Sequence, residues 1–159
     1  MIERVCVVGG GVIGSLFAAH LSRVADVWVL TRRPEHARAL EENGLTVSGR
    51  AEFTGRVRAT DDPGTLPPVD VAILATKGTA VDAAAAALEG RIPDAMVVTI
   101  QNGLGAERIV REHGDWPLVS GVTFMSGTRH DDTHVEYILD TETWLGPYNG
   151  IPYERVEEL

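Results

Sequence analysis

The chain has almost no lysine. Lys77 stands against thirteen arginines, and 23 acidic residues outnumber these 14 basic ones, giving a formal net charge of -9. A general nucleic-acid surface is therefore excluded, because phosphate backbones are bound by clustered positive charge. Bulk acidic charge speaks to solubility rather than to chemistry. Acidic excess with little lysine suits a salt-adapted proteome, and arginine bias suits a GC-rich genome; composition does not choose between them. Cysteine is nearly absent too. Cys6 has no partner for an internal disulfide and sits in a strand-like run, so a buried inert thiol is expected, compatible with a cytoplasmic location. No apolar run approaches the ~20 residues of a membrane span, so no membrane partner is expected. The opening IERVCVVGGG has neither a basic leader nor a small-residue cleavage site, and no secretory signal is read there. Aromatic residues make up only 6%, yet apolar content is an ordinary 44%, and 159 residues suffice for one domain with a real core.

Strand-like and helix-like stretches alternate. Residues 3–8 read as a buried strand and 12–24 as a helix opened by glycines; 26–31 read as the next strand. Arg32, Arg33 and Pro34 form a turn into the helix PEHARALEEN, with Gly44 as its stop. LTVSG and EFTGRVRAT read as two short β stretches, and TDDPGTLPP as a turn-rich connection. VDVAILAT (69–76) is a strand, TAVDAAAAALEG a helix rich in a strong helix former, and AMVVTI a strand. QNGLG is a turn, AERIVREHG a helix, and PLVSGVTF a strand. From 127 to 146 the alternating texture predicts a hairpin or an antiparallel edge at the end of the sheet. The fold class expected is α/β: a Rossmann-type, doubly wound, mostly parallel sheet with helices on both faces and a C-terminal antiparallel hairpin.

Gly9, Gly11 and Gly14 spell G-x-G-x-x-G between a strand and a helix. The first glycine allows the tight turn, the second lets the backbone approach a pyrophosphate, and the third lets helix and strand pack closely. The helix start at Val12 and Ile13 then offers free N–H groups and a positive dipole end to the anion. The strand-turn-helix context lifts the motif above a lone match. An NAD site would carry a carboxylate about 20 residues on, for the ribose 2′-OH. This chain reads VLTRR there. Thr31 offers a hydroxyl, and Arg32 and Arg33 offer guanidiniums suited to a 2′-phosphate, so NADP is favoured over NAD. LATKG (74–78) and IQNGLG (100–105) each follow an apolar strand, at the sheet edge where open α/β folds bind ligands. Lys77 and Asn102 can point at a cofactor or substrate there, or be plain loop residues; spacing leaves both open.

Taken together, GGGVIG, TRR, ATKG, NGLG and SGVT followed by WLGP resemble the ketopantoate reductase (2-dehydropantoate 2-reductase) family, in order and spacing across essentially the whole chain. The resemblance implies NADPH as hydride donor and a small-molecule 2-keto acid as acceptor. It implies that Arg32 contacts the 2′-phosphate and that Lys77 and Asn102 lie beside the cofactor and the substrate cleft. It also implies a second, all-helical domain that holds the general-acid lysine and a substrate-orienting glutamate. On that reading residues 1–148 are the NADP-binding domain, residues 149–159 are a linker and the opening of the helical domain, and no catalytic residue is assigned here. A homodimer is compatible with the sequence. After the GVT strand the chain reads TFMSGTRHDD where the family usually has a THGA-like pattern; related 2-keto acid and opine-type reductases share the same cofactor half. A stand-alone nucleotide-sensing domain of similar length is the rival, but such domains usually end the second strand with an acidic residue. RHDDTH (129–134) gathers two histidines and two aspartates, but i, i+4 spacing faces one side only on a helix and this stretch reads as a β turn. A solvated hairpin tip is expected rather than a metal site, which needs a converging third ligand and a supporting shell.

Overall fold

A computed structural model describes all 159 residues. Eleven strands and five α-helices follow one another: β1 (Arg4–Val8), α1 (Val12–Leu21), β2 (Asp26–Leu30), α2 (Pro34–Asn43), β3 (Leu45–Gly49), β4 (Phe53–Gly55), β5 (Arg58–Thr60), β6 (Val71–Leu74), α3 (Val81–Leu88), β7 (Met96–Thr99), α4 (Ala106–Arg111), β8 (Leu118–Thr123), β9 (Ser126–Arg129), β10 (His134–Leu139), β11 (Thr143–Tyr148) and α5 (Tyr153–Val156). The main sheet runs β11-β8-β7-β6-β1-β2-β5. Its six strands from β8 to β5 are parallel, and β11 closes one edge antiparallel to β8. Counted along the chain, the parallel strands have the doubly wound order 3-2-1-4-5-6, with the reversal between β1 and β6. The expected α/β class, a doubly wound and mostly parallel sheet, is the one found.

Alternation along the strands sends side chains to two cores. Val5 and Val7 join α1, α2 and a second sheet on one face, while Cys6 and Val8 join α3 and α4 on the other. Leu16 of α1 is fully buried, and burying a side chain of that size contributes about 1.5–3 kcal/mol. Cys6 is fully buried, and burial pushes its thiol pKa up to about 12. The thiol is therefore protonated and inert at neutral pH. No helix is long and apolar enough to cross a membrane.

The second sheet is the main departure from the sequence reading. Its order is β4-β3-β10-β9. The stretch EFTGRVRAT divides, β4 going to the small sheet and β5 to the edge of the large one. The segment 127–146 is likewise not one hairpin. Its β9 and β10 pair with each other in the small sheet, where β10 lies parallel to β3, and only β11 extends the main sheet. The cause is amphipathic. Val135 and Tyr137 of β10 and Leu45 and Val47 of β3 are all buried against α1, so this hairpin gains more by roofing the helix than by lengthening the sheet.

Candidate functional site

The strand order reverses between β1 and β6, and in doubly wound sheets such a reversal opens a crevice at the carboxyl ends of the strands. Gly9 turns the chain there with φ +103°, a left-handed value that glycine adopts without strain. A Cβ at Gly9 would lie 3.1 Å from Thr76 Cγ2, so the turn leans on the loop after β6. At Gly14 an added Cβ would overlap the Gly9 carbonyl oxygen, which is the close helix-to-strand packing expected of the third glycine. Gly11 instead faces open space. As the residue before α1 it brings no capping side chain, and the first turn of α1 has no acidic residue. The N–H groups of Val12 and Ile13 therefore keep their hydrogen-bonding capacity, beside an uncompensated positive helix end.

At the end of β2 the three candidates part company. Thr31 differs from the expectation. It is buried, and its hydroxyl lies 3.0 Å from His36 Nδ1, so it holds that ring rather than facing a ligand. The ring of the buried His36 lies against the glycine turn, where a Cβ at Gly10 would sit 2.5 Å from its Cε1. Burial lowers the His36 pKa below the usual histidine value, which favours the neutral ring. Arg33 is committed to carboxylates, to Glu35 at 3.0 Å and to Asp132 of the β9–β10 tip. Arg32 is exposed and pairs with no protein group. A third guanidinium arrives from the same tip, as Arg129 donates from Nη1 to the Gly10 carbonyl at 3.1 Å.

Lys77 and Asn102 lie where the strands place them, at the ends of β6 and β7, exposed and without side-chain hydrogen bonds. Behind them Gln101 donates from Nε2 to the carbonyls of Leu74 (2.6 Å) and Thr76 (3.0 Å), tying the two loops together. The buried Gln101 Oε1 and Thr76 Oγ1 have no partner, so polar capacity is left over at the switch point. Below, Glu107 of α4 accepts from Thr99 (2.8 Å) and Ser120 (2.6 Å). Burial pushes its pKa up, but the hydrogen bonds from Ser120, its own amide and Thr99 outweigh burial and hold it below the usual range.

The crevice thus gathers Gly9, Gly11, Val12, Ile13 and Gly14 between two arms, one with Arg32 and one with Lys77 and Asn102. The sequence reading missed His36, Gln101, Arg129 and Asp132. For the last two the signal was the charged run 129–134, which reads locally as a solvated tip. The tip does turn at 131–133, with Asp131 Oδ1 accepting from the Thr133 amide at 2.8 Å and His130 paired to Glu136 at 2.9 Å.

Strand order, switch point and glycine turn define a Rossmann-type nucleotide-binding architecture. The profile described as ketopantoate reductase PanE/ApbA matches residues 5–150, and the chain belongs to that family. It is 31% identical over 98% of its length to a 2-dehydropantoate 2-reductase of Pyrococcus horikoshii, and 33% identical over 98% to one of Halobacterium salinarum. It covers 51% and 53% of those two proteins, about half the length of the curated relatives it matches. The crystal structure of a probable 2-dehydropantoate 2-reductase from Bacillus subtilis superposes with a TM-score of 0.88 at 25% identity, over 98% of this chain and 53% of that one.

Proposed function

We propose that this chain is the NADPH-binding half of a 2-dehydropantoate 2-reductase. The observation that carries the reading is Arg32, a guanidinium at the end of β2 that no protein group engages, in a chain of this family. The residues present fit a dinucleotide. Open space at Gly11 leaves room for a pyrophosphate, and the unpartnered Thr76 Oγ1 and Gln101 Oε1 leave hydrogen-bonding capacity farther along the crevice. The amides of Val12 and Ile13 would hold the pyrophosphate, and Arg32 the 2′-phosphate. Lys77 and Asn102 would orient the far end of the cofactor and the 2-keto acid. When bound, NADPH supplies the hydride for the keto carbon. No group in the crevice is assigned as general acid, so the 159-residue chain is expected to bind NADPH and to turn over little 2-dehydropantoate. Calorimetric titration with NADPH, followed by an NADPH-oxidation assay with 2-dehydropantoate, tests both halves. Saturable binding without appreciable turnover supports the proposal. Absence of binding overturns the first half, and brisk turnover by this chain overturns the second.

A further inference from the structure

A Rossmann site that prefers the non-phosphorylated dinucleotide carries a carboxylate at the end of the second strand, to accept from the ribose 2′-OH. The sequence VLTRR has none. The fold nevertheless brings one there from 99 residues away, since the Asp132 carboxylate meets the Arg33 guanidinium immediately after β2. We propose that Asp132 is a specificity-determining residue that lowers the preference for the phosphorylated dinucleotide and supplies an acceptor for the unphosphorylated ribose. The proposal rests on the dinucleotide reading given above and extends it.

The placement is built rather than incidental. Gly127 lets β9 lie close to β10 and to α1 at once, since an added Cβ would overlap the Glu136 carbonyl oxygen and lie 3.2 Å from Val12 Cγ1 and 3.3 Å from Leu16 Cδ1. Two residues on, Arg129 bonds the Gly10 carbonyl at 3.1 Å, which fixes the start of the tip over the glycine turn. Three residues further, Asp132 reaches the β2 loop, with a side chain only 30% exposed. The hairpin is therefore held at both the pyrophosphate turn and the ribose end.

The charges then work against each other in a defined way. Arg33 is shared between Asp132 and Glu35, so its positive charge is already matched by carboxylates. A 2′-phosphate carries between one and two negative charges near neutral pH. Beside Arg32 it meets one free cation, but it also meets the Asp132 carboxylate, and like charges at this range oppose binding. A ribose 2′-OH carries no charge and can donate to the same carboxylate without disturbing the Arg33 pair.

The test compares Kd for NADPH and NADH in the wild-type chain, Asp132→Asn and Arg32→Ala, with thermal unfolding as a check that each variant is folded. Asparagine keeps the shape of the side chain and removes its charge. The expected result is that Asp132→Asn tightens NADPH and weakens NADH, raising the ratio of Kd(NADH) to Kd(NADPH) by about five- to tenfold. An unchanged ratio, or an equal shift of both constants, overturns the proposal and leaves Asp132 as a pin for the hairpin. If Arg32→Ala collapses the wild-type preference while Asp132→Asn does nothing, this proposal alone fails. If Arg32→Ala leaves the ratio unmoved, the phosphate reading of the β2 loop fails and this proposal falls with it.

Discussion

The two arms of the crevice are built to different standards. The arm at the end of β2 is braced from several elements: Thr31 bonds His36, Arg33 pairs with Glu35 and Asp132, and Arg129 bonds the Gly10 carbonyl. In the other arm, Lys77 and Asn102 stand in solvent, and only Gln101 ties their loops together from behind. This bracing fixes the frame around Arg32, whose own side chain is exposed and unpaired. The free side chains of Lys77 and Asn102 must be ordered by what they bind. The two arms thus differ in the frame behind their exposed side chains, fixed from several elements at the end of β2 and tied only by Gln101 at the ends of β6 and β7.

The largest effect should come from the turn that both arms share. Gly14→Ala forces a methyl group into the Gly9 carbonyl and should cost about 3 kcal/mol, lowering Tm by roughly 6–12 °C in a domain of this size. Gly11→Ala meets nothing within 4 Å and should change stability by about 1 kcal/mol or less, while still weakening dinucleotide binding. Similar Tm losses for the two variants would break the contrast between packing glycine and ligand-facing glycine.

A smaller effect, confined to acid pH, should mark the braced arm. Burial holds the His36 pKa below its unfolded value near 6.5. The unfolded chain therefore takes up a proton first, and the contribution of His36 is present above that value and declines as pH falls toward its folded pKa. His36→Gln should shrink the Tm difference between pH 7.5 and pH 5.5. His113 provides the opposite sign. Its pKa is raised by the hydrogen bond to Asp82, so its contribution is present at acid pH and is lost as pH rises through its folded pKa. His113→Gln should widen the same Tm difference, and a matching sign for the two variants would contradict this account.

The smallest effects belong to the open arm. Lys77→Ala and Asn102→Ala should each leave stability within about 0.5 kcal/mol while weakening cofactor or substrate binding. A clear Tm loss in either would mean that this arm is braced after all.

What the sequence made legible follows from range. The glycine turn, the β2 loop and the strand-helix alternation are local patterns, and each falls where the sequence placed it. The small sheet is not local, since its parallel pair sets His134 opposite Thr46. Period-2 texture shows that 134–139 is a strand without naming its partner. The same holds at the site. Arg32 and Arg33 are equivalent by spacing; Glu35 and, from 99 residues away, Asp132 engage Arg33 and leave Arg32 free. Thr31 was legible as a polar residue in the right loop, but not as one whose hydroxyl is turned inward to a buried histidine.

On the proposed reading this crevice takes a phosphorylated dinucleotide through Arg32. That reading is tested most directly by calorimetric titration of NADPH and NADH into the wild-type chain and into Arg32→Ala. The wild type is expected to bind NADPH more tightly than NADH, with Arg32→Ala losing roughly tenfold or more for NADPH and little for NADH. Equal affinities in the wild type, or an equal loss for both cofactors in the variant, would contradict it.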